Sequence, residues 1–202
     1  MPGVEPSGRV EAMSDPDQED MTALCGGEDA ALDRIMERWS RPLYGFIFRY
    51  VQQAEEASDL VQESFVRVYL NRDRYRPGAK FSTWLFTIAV NLCRNRMRWR
   101  RRHPTVSLDA DPAGAEGWAS DTLEPGLEAE RREKIGAVRS AVARLPHELR
   151  AVLILAHYQG LSHKEIGVIM NRTPKAVEAR LYRARGRLRE LLRGEGCFNY
   201  EL

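Results

Sequence analysis

Apolar residues recur at steps of three and four along most of the chain, and no stretch calls for a strand. Leu32, Ile35, Met36 and Trp39 form one such series. Leu43, Phe46, Ile47 and Tyr50 form the next, and Pro42 stands where a helix would start, so the spacing predicts two core helices. The segment AEEASDLVQESFVRVYL (54–70) puts Val61, Phe65, Val68 and Tyr69 on one face and Asp59, Gln62, Glu63 and Val66 on another. Its acids fall early, where they complement the helix dipole. After a Pro77-Gly78 break comes FSTWLFTIAVNLCRNRMRWRRR (81–102), a helix with Ser82 or Thr83 as its cap and Leu85, Ile88, Ala89 and Leu92 inward.

Residues 104–130 lose all periodicity and read as a linker. Ile135, Val138, Val142 and Leu145 then resume a helical stripe that Pro146 ends, and PHELRAVLILAHYQG gives a further helix stopped at Gly160. Ser162 to Glu165 is a capping box for a short helix through Met170 that buries Ile166 and Ile169. Asn171-Arg172 makes a turn, and Thr173-Pro174 supplies a cap followed by proline at the first helical position. The last helix turns Val177, Leu181, Ala184, Leu188 and Leu191 inward and runs to Gly194. The pattern predicts an all-α protein of two small helical domains joined by a flexible acidic linker, the second domain containing a helix-turn-helix. Its parts are a disordered acidic tail (1–20), a first domain (21–103), the linker (104–130), a second domain (131–194) and a closing tail (195–202).

Charge sharpens this division. The 202 residues carry a net charge of only +2, but residues 1–20 hold six acids against Arg9 and residues 104–130 hold acids with no Lys or Arg. Residues 94–102 and 172–193 are strongly basic. Two segments therefore suit a polyanion, and the others suit solvated linkers. Cys25, Cys93 and Cys197 lie far apart without a CxxC pair, as in a reducing compartment, for which the cytoplasm is the simple reading. The N-terminus lacks the basic start and apolar run of a signal peptide. No later segment approaches the ~20 apolar residues of a membrane helix, so a soluble chain with no direct membrane insertion is expected.

Two constellations carry chemistry. The second helix of a helix-turn-helix enters the major groove, so its early outward residues face base edges. On that geometry Lys175, Glu178, Ala179, Tyr182 and Arg183 are base-proximal, while Ser162, Arg172 and Arg180 suit phosphates. In the other constellation, Asn91, Arg94, Asn95 and Arg98 share a helix face that can track a duplex backbone. Phe81 and Trp84, with Tyr75 and Lys80 before them, form a candidate platform for an unstacked base. For Trp84 the alternative is a place in the core, and Phe86 reads as core. Opening a duplex costs about 1.4 kcal/mol per step, and stacking a base on an aromatic returns about 1–3 kcal/mol. Such a site captures one or two bases and needs a larger machine to open more.

Catalytic patterns fail to assemble. His147-Glu148 begins like a zinc-protease helix, but Ala151 stands where the second histidine is needed. His157 and His163 flank the Gly160 break with no Cys or acid cluster of ligand spacing, and there is no phosphate-cradling glycine loop. The expectation is a non-enzyme with no cofactor and no metal.

Taken together, DLVQESFVRVYL, then YRPGAKFSTWLFTIAVNLCRNRMRWRRR, then LPHELRAVLILAHYQGLSHKEIGVIMNRTPKAVEARLYRARGRLRELL resemble an extracytoplasmic-function (ECF) sigma factor of bacterial RNA polymerase over about residues 25–193. The resemblance implies a factor that binds core polymerase and recognises the minus-ten and minus-thirty-five promoter elements while assisting melting. Asp59, Gln62 and Glu63 inherit a contact with the clamp helices of the largest subunit, and the beta flap is a second polymerase contact. The loop at 73–80 with Tyr75, Lys80, Phe81, Trp84, Asn91, Arg94, Asn95 and Arg98 inherits the minus-ten element, and the helix-turn-helix the minus-thirty-five element. In the family the linker threads through polymerase channels built for nucleic acid, where the acids from Asp109 to Glu130 suit positions that phosphates would otherwise take. An anti-sigma factor, often membrane-tethered, is the implied regulator. The alternative, a polymerase-independent helix-turn-helix regulator, leaves the DLVQE face and the FSTWL helix without a role.

Overall fold

The computed structural model describes residues 15–103 and 125–194, with side chains in the second stretch from residue 132 onward. The first stretch forms α1 (Pro16–Cys25), α2 (Ala30–Val51), α3 (Ala54–Leu70), a 3-10 turn at Arg72–Arg74, and α4 (Phe81–Arg102). The second forms α5 (Pro125–Ala143), α6 (His147–His157), α7 (His163–Met170) and α8 (Pro174–Gly194). No strand occurs among the described residues.

Four boundaries depart from the sequence reading. The two helices expected to meet at Pro42 are one, α2, with the proline inside it. An internal proline costs about 3 kcal/mol. However, the apolar positions 32, 35, 36, 39, 43, 46, 47 and 50 stay in phase across it, so a break would pull half the stripe off the core. The acidic tail ends earlier than residue 20, because α1 begins at Pro16, capped by Asp15. Asp20 is buried there at 7% exposure between Arg34 and Arg38. Burial alone would push its carboxyl up, but hydrogen bonds and charge from the two guanidinium groups hold it below the usual range. Asp17 adds a contact to Arg38 and accepts from Trp39 Nε1 at 2.9 Å. The linker loses its last residues to α5, which starts at Pro125. Its remaining acids, like Cys197 and the closing tail, lie outside the described residues. Finally, Ser82 and Thr83 sit inside α4 rather than capping it, and Lys80 occupies the cap position without a side-chain bond.

An aromatic chain through α2 and α4 holds the first half together. Phe46 meets Phe86 edge-on at 5.4 Å, Phe86 meets Trp39 at 6.1 Å, and Trp39 meets Phe81 at 5.9 Å. Arg96 and Arg100 of α4 reach back to Glu56 of α3 at 3.5 and 3.2 Å, and Arg100 also donates to the Val51 carbonyl. These two arginines are therefore spent on packing. In the second half, Val177, Leu181, Ala184 and Leu191 of α8 pack as the stripe predicts, with Leu188 partly buried.

The halves also touch. Tyr50, fully buried on α2, stacks on His147 of α6 with centroids 6.0 Å apart. Arg150 donates to the Tyr50 carbonyl at 2.6 Å, and Arg139 donates to Gln52 Oε1 at 2.9 Å. Gln52 is the left-handed C-cap of α2 (φ 65°).

Candidate nucleic-acid interface

The helix-turn-helix is built by local chemistry. Ser162 Oγ accepts from the Glu165 amide at 3.3 Å while Glu165 Oε2 accepts from the Ser162 amide at 2.8 Å, the reciprocal box the sequence predicts. Asn171 adopts the left-handed conformation (φ 52°) and ends α7. The Arg172 amide then donates to the Gly167 carbonyl at 2.8 Å. A Cβ on Gly167 would lie 2.7 Å from the Arg172 carbonyl oxygen, so the tight crossing requires glycine at that point. Thr173 Oγ1 accepts from the Ala176 amide at 3.2 Å and opens α8.

On α8, Lys175, Glu178, Ala179, Tyr182 and Arg183 are all exposed, and their spacing puts them on one face. Tyr182 is 81% exposed. Arg172 and Arg180 both approach Glu148 of α6, at 3.8 and 3.2 Å, which sets them beside this face rather than on it. Ser162 is exposed at the start of α7. Arg185 contacts the His157 ring at 3.3 Å, and burial together with that charge lowers the imidazole pKa.

The platform at the start of α4 is smaller than expected. Phe81 is 1% exposed and Tyr75 8%, and both belong to the core. The Tyr75 hydroxyl is turned to the Ala79 carbonyl at 2.6 Å. Neither ring can receive a base in this arrangement, because the aromatic chain from Phe46 to Phe81 continues through Tyr75 at 6.3 Å. Trp84 is only partly buried. It lines a cavity of about 210 Å³ between α3 and α4 with Arg67, Asn71, Arg74, Ile88 and Asn91. Arg74 falls in the loop at 73–80 that the resemblance had marked, whereas Arg67 and Asn71, at the end of α3, were missed by the sequence reading. Their signal was their spacing: Arg67 and Asn71 stand four residues apart on one face at the end of α3, next to the basic turn NRDR.

Further along α4, Asn91, Asn95 and Arg98 are exposed, and Arg98 donates to Asn95 Oδ1 at 2.7 Å. Asn95 and Arg98 line an open cavity of about 620 Å³ with Arg101 and Arg102. Arg94 is turned instead to Met170 Sδ at 3.3 Å, and Lys80 pairs with Glu165 at 2.7 Å, so two of the predicted contacts engage α7. The hydrogen bond from Lys80, followed by those from the Ser162 hydroxyl and amide, lowers the Glu165 carboxyl to about 2.

The third face lies on α3. Asp59 and Gln62 are exposed, and Glu63 is half-exposed and paired with Arg67 at 2.6 Å. Val66 and Leu70, at 54% and 68% exposure, continue the same stripe. An acidic face that also shows large apolar groups suits a protein surface better than a nucleic acid.

A family model described as sigma-70 region 2 matches residues 35–103, and one described as sigma-70, region 4 matches residues 135–188. The ECF RNA polymerase sigma factor SigW of Bacillus subtilis is 34% identical over 174 residues, which is 83% of this chain and 91% of the Bacillus protein. The RNA polymerase sigma-H factor of Pseudomonas aeruginosa is 30% identical over 174 residues, covering 84% of this chain and 90% of its own. Two solved structures share the fold. CnrH, in complex with the cytosolic domain of CnrY, superposes with a TM-score of 0.68 at 24% identity over 89% of this chain and 99% of that one. The sigma factor RpoE, in complex with the anti-sigma factor NepR from Bartonella quintana, gives 0.57 at 24% identity over 80% and 97%.

Proposed function

The chain belongs to the sigma-70 family, in its extracytoplasmic-function group, and from that premise we propose how its surfaces divide the work of a sigma factor. It directs promoter-specific transcription initiation by binding core RNA polymerase. The α3 face of Asp59, Gln62 and Glu63, extended by Val66 and Leu70, docks on the clamp helices of the largest subunit, and the second domain meets the beta flap. Residues 16–103 act as the minus-ten domain. Trp84 and its groove receive a base leaving the duplex, while Asn91, Arg94, Asn95 and Arg98 track the backbone still paired beside it. Residues 131–194 act as the minus-thirty-five domain, with Lys175, Glu178, Ala179, Tyr182 and Arg183 toward bases and Ser162, Arg172 and Arg180 toward phosphates.

One observation supports this division: the same chain exposes a polar, basic face on the second helix of its helix-turn-helix and an acidic, apolar face on α3. A free-standing DNA-binding regulator has no use for the second. Chemistry stays with the polymerase, and the factor itself is no enzyme. The chain works in the cytoplasm, and an anti-sigma factor is its regulator and its route to any membrane. No helix among the described residues is long and apolar enough to cross one.

The test is transcription by core polymerase across a promoter library, with and without the protein. Specific start sites should appear only when both are present. Strong sequence-specific duplex binding by the chain alone, with no polymerase-dependent start sites, would establish the free-standing regulator instead.

A further inference from the structure

Resting on the sigma reading, we propose that Glu148 of α6 sets the selectivity of the minus-thirty-five reader: it cancels the general attraction of Arg172 and Arg180 for phosphate and aims Arg180 at one backbone position. Two arginines from different elements converge on this one carboxylate. Arg180 of α8 places Nε and Nη2 each 3.2 Å from Oε2, and Arg172 of the turn places Nη2 3.8 Å from Oε1. Both belong to the proposed phosphate contacts.

The geometry leaves Arg180 one way to meet DNA. Glu148 takes the side of its guanidinium formed by Nε and Nη2, and the Ala176 carbonyl accepts from Nη1 at 3.2 Å. A guanidinium carries five N–H groups in a rigid fork. One N–H therefore remains on each terminal nitrogen, the two prongs that fit a phosphate bidentately. The side chain is only 16% exposed, so this fork cannot search for phosphates around it. Val177, Leu181 and Ala184 are buried, which fixes the phase of α8 and keeps Arg180 toward α6. The hydrogen bond from the Arg172 amide to the Gly167 carbonyl fixes the other arginine in its turn. Glu148 itself lies in the first turn of α6, where the helix dipole favours a negative charge.

Stability does not account for the arrangement. Glu148 is half-exposed, and an ion pair open to water adds little to folding. Its effect falls on binding. Each phosphate met by a free cation releases a counterion and tightens binding to every sequence. A carboxylate between two arginines lowers that sequence-independent part. Where base contacts seat α8 in register, the fork is already in line with its phosphate and the loss of charge is offset by preorganisation. Where they do not, the backbone lies off the line of the fork, and Glu148 resists its reorientation. Arg180 prefers no base; it favours whichever duplex the base contacts seat correctly.

The test uses holoenzyme assembled from core polymerase and the full chain. Its targets are a promoter duplex recovered from the start-site library and the same duplex with scrambled minus-thirty-five bases. Affinities are read by fluorescence anisotropy across a salt series. At about 0.1 M salt, Glu148→Gln should bind the scrambled duplex about three- to eightfold more tightly, with a salt slope steeper by about 0.9, the weight of one freed phosphate contact. On the intact duplex the gain should stay below about twofold, because the freed fork has lost its aim. Glu148→Asp keeps the charge and should keep the parent salt slope. In an Arg180→Ala background the effect of Glu148→Gln should shrink by about half or more. No change on either duplex, equal gains on both, uniform weakening, or an undiminished effect without Arg180 would each overturn the inference and leave the sigma reading standing. A parent holoenzyme that binds both duplexes equally would overturn the assignment of the helix-turn-helix to the minus-thirty-five element, and the inference with it.

Discussion

α4 and α8 carry six arginines each, yet the two helices hold them differently. On α8 the exposed stripe of Lys175, Glu178, Ala179, Tyr182 and Arg183 stands clear of the rest of the protein, while Arg180, and Arg172 in the turn before the helix, are drawn sideways to Glu148. On α4, Arg96 and Arg100 are fixed to Glu56, Arg94 turns to Met170, and the loop lysine before the helix is paired across the seam. One helix displays its polar and basic face; the other is a core element whose arginines are largely committed to packing and pairing. Arginine density alone therefore overstates the free basic surface of α4.

The largest expected effect tests the core side of that contrast. Phe81→Ala should lose about 3–5 kcal/mol of stability in urea unfolding, as for a buried ring in a well-packed core. Trp84→Ala should leave most of the stability and reduce promoter opening by the equivalent of about 1–3 kcal/mol of base stacking, read by permanganate footprinting. If Phe81→Ala folds normally and loses opening, the wider aromatic platform is right and the burial of Phe81 is not its working state.

Next in size is a change on the displayed helix. Arg183→Ala should shift which minus-thirty-five bases are preferred, with a loss of about 1–3 kcal/mol at the base it reads. Arg180→Ala should weaken all sequences alike, because Arg180 is held beside the face by Glu148. A selection experiment on randomised minus-thirty-five elements separates the two. Equal, uniform losses would mean that the reading face of α8 is rotated away from Arg183.

How much of this was legible in the sequence follows the same contrast. The helix-turn-helix is written in local chemistry: a Ser–Glu box, an asparagine able to turn left-handed, and Thr-Pro at the start of α8. Each acts within a few residues, so reading the chain in order finds it. The fates of Phe81 and Arg94 are decided by partners far along the chain, and that of Pro42 by the whole length of its helix. Pro42 is held by the in-phase stripe on both sides of it, Phe81 by Trp39 and Tyr75, and Arg94 by Met170. The burial of Asp20 was equally hidden, because its acidic, Pro-rich surroundings resemble a tail until Arg34 and Arg38 are brought against it.

The seam between the halves should be sensitive to mild acid. Burial, followed by the charges of Arg150 and Arg101, lowers the His147 pKa below its ordinary 6.5. Tyr50 stacks on its other side. The unfolded chain then takes up this proton at a higher pH than the folded one, so stability falls as pH drops below 6.5. His157, depressed by burial and Arg185, adds in the same direction. Urea midpoints should be lower at pH 5.5 than at pH 7.5. His147→Leu should shrink that difference, and an undiminished difference would place the effect on His157.

The smallest effect lies at Glu165, where a local cap and a contact between the halves meet in one carboxylate. Its pKa, lowered from 4.5 to about 2, makes a contribution to stability that is fully present above pH 4.5 and lost as pH falls toward 2. Lys80 is largely exposed, so the pair adds little at neutral pH. Glu165→Gln keeps an acceptor for the Ser162 amide, as the capping box allows, but removes the partner of Lys80. Its urea midpoint should lie slightly below the parent's at pH 7 and converge on it as pH falls toward 2, so that its decline between pH 4.5 and 2 is shallower. Lys80→Met should leave the part of that decline due to Ser162 and remove the rest. If Lys80→Met changes nothing in this window, the cap alone holds the charge on Glu165, and α4 and α7 are joined by packing rather than by their ion pair.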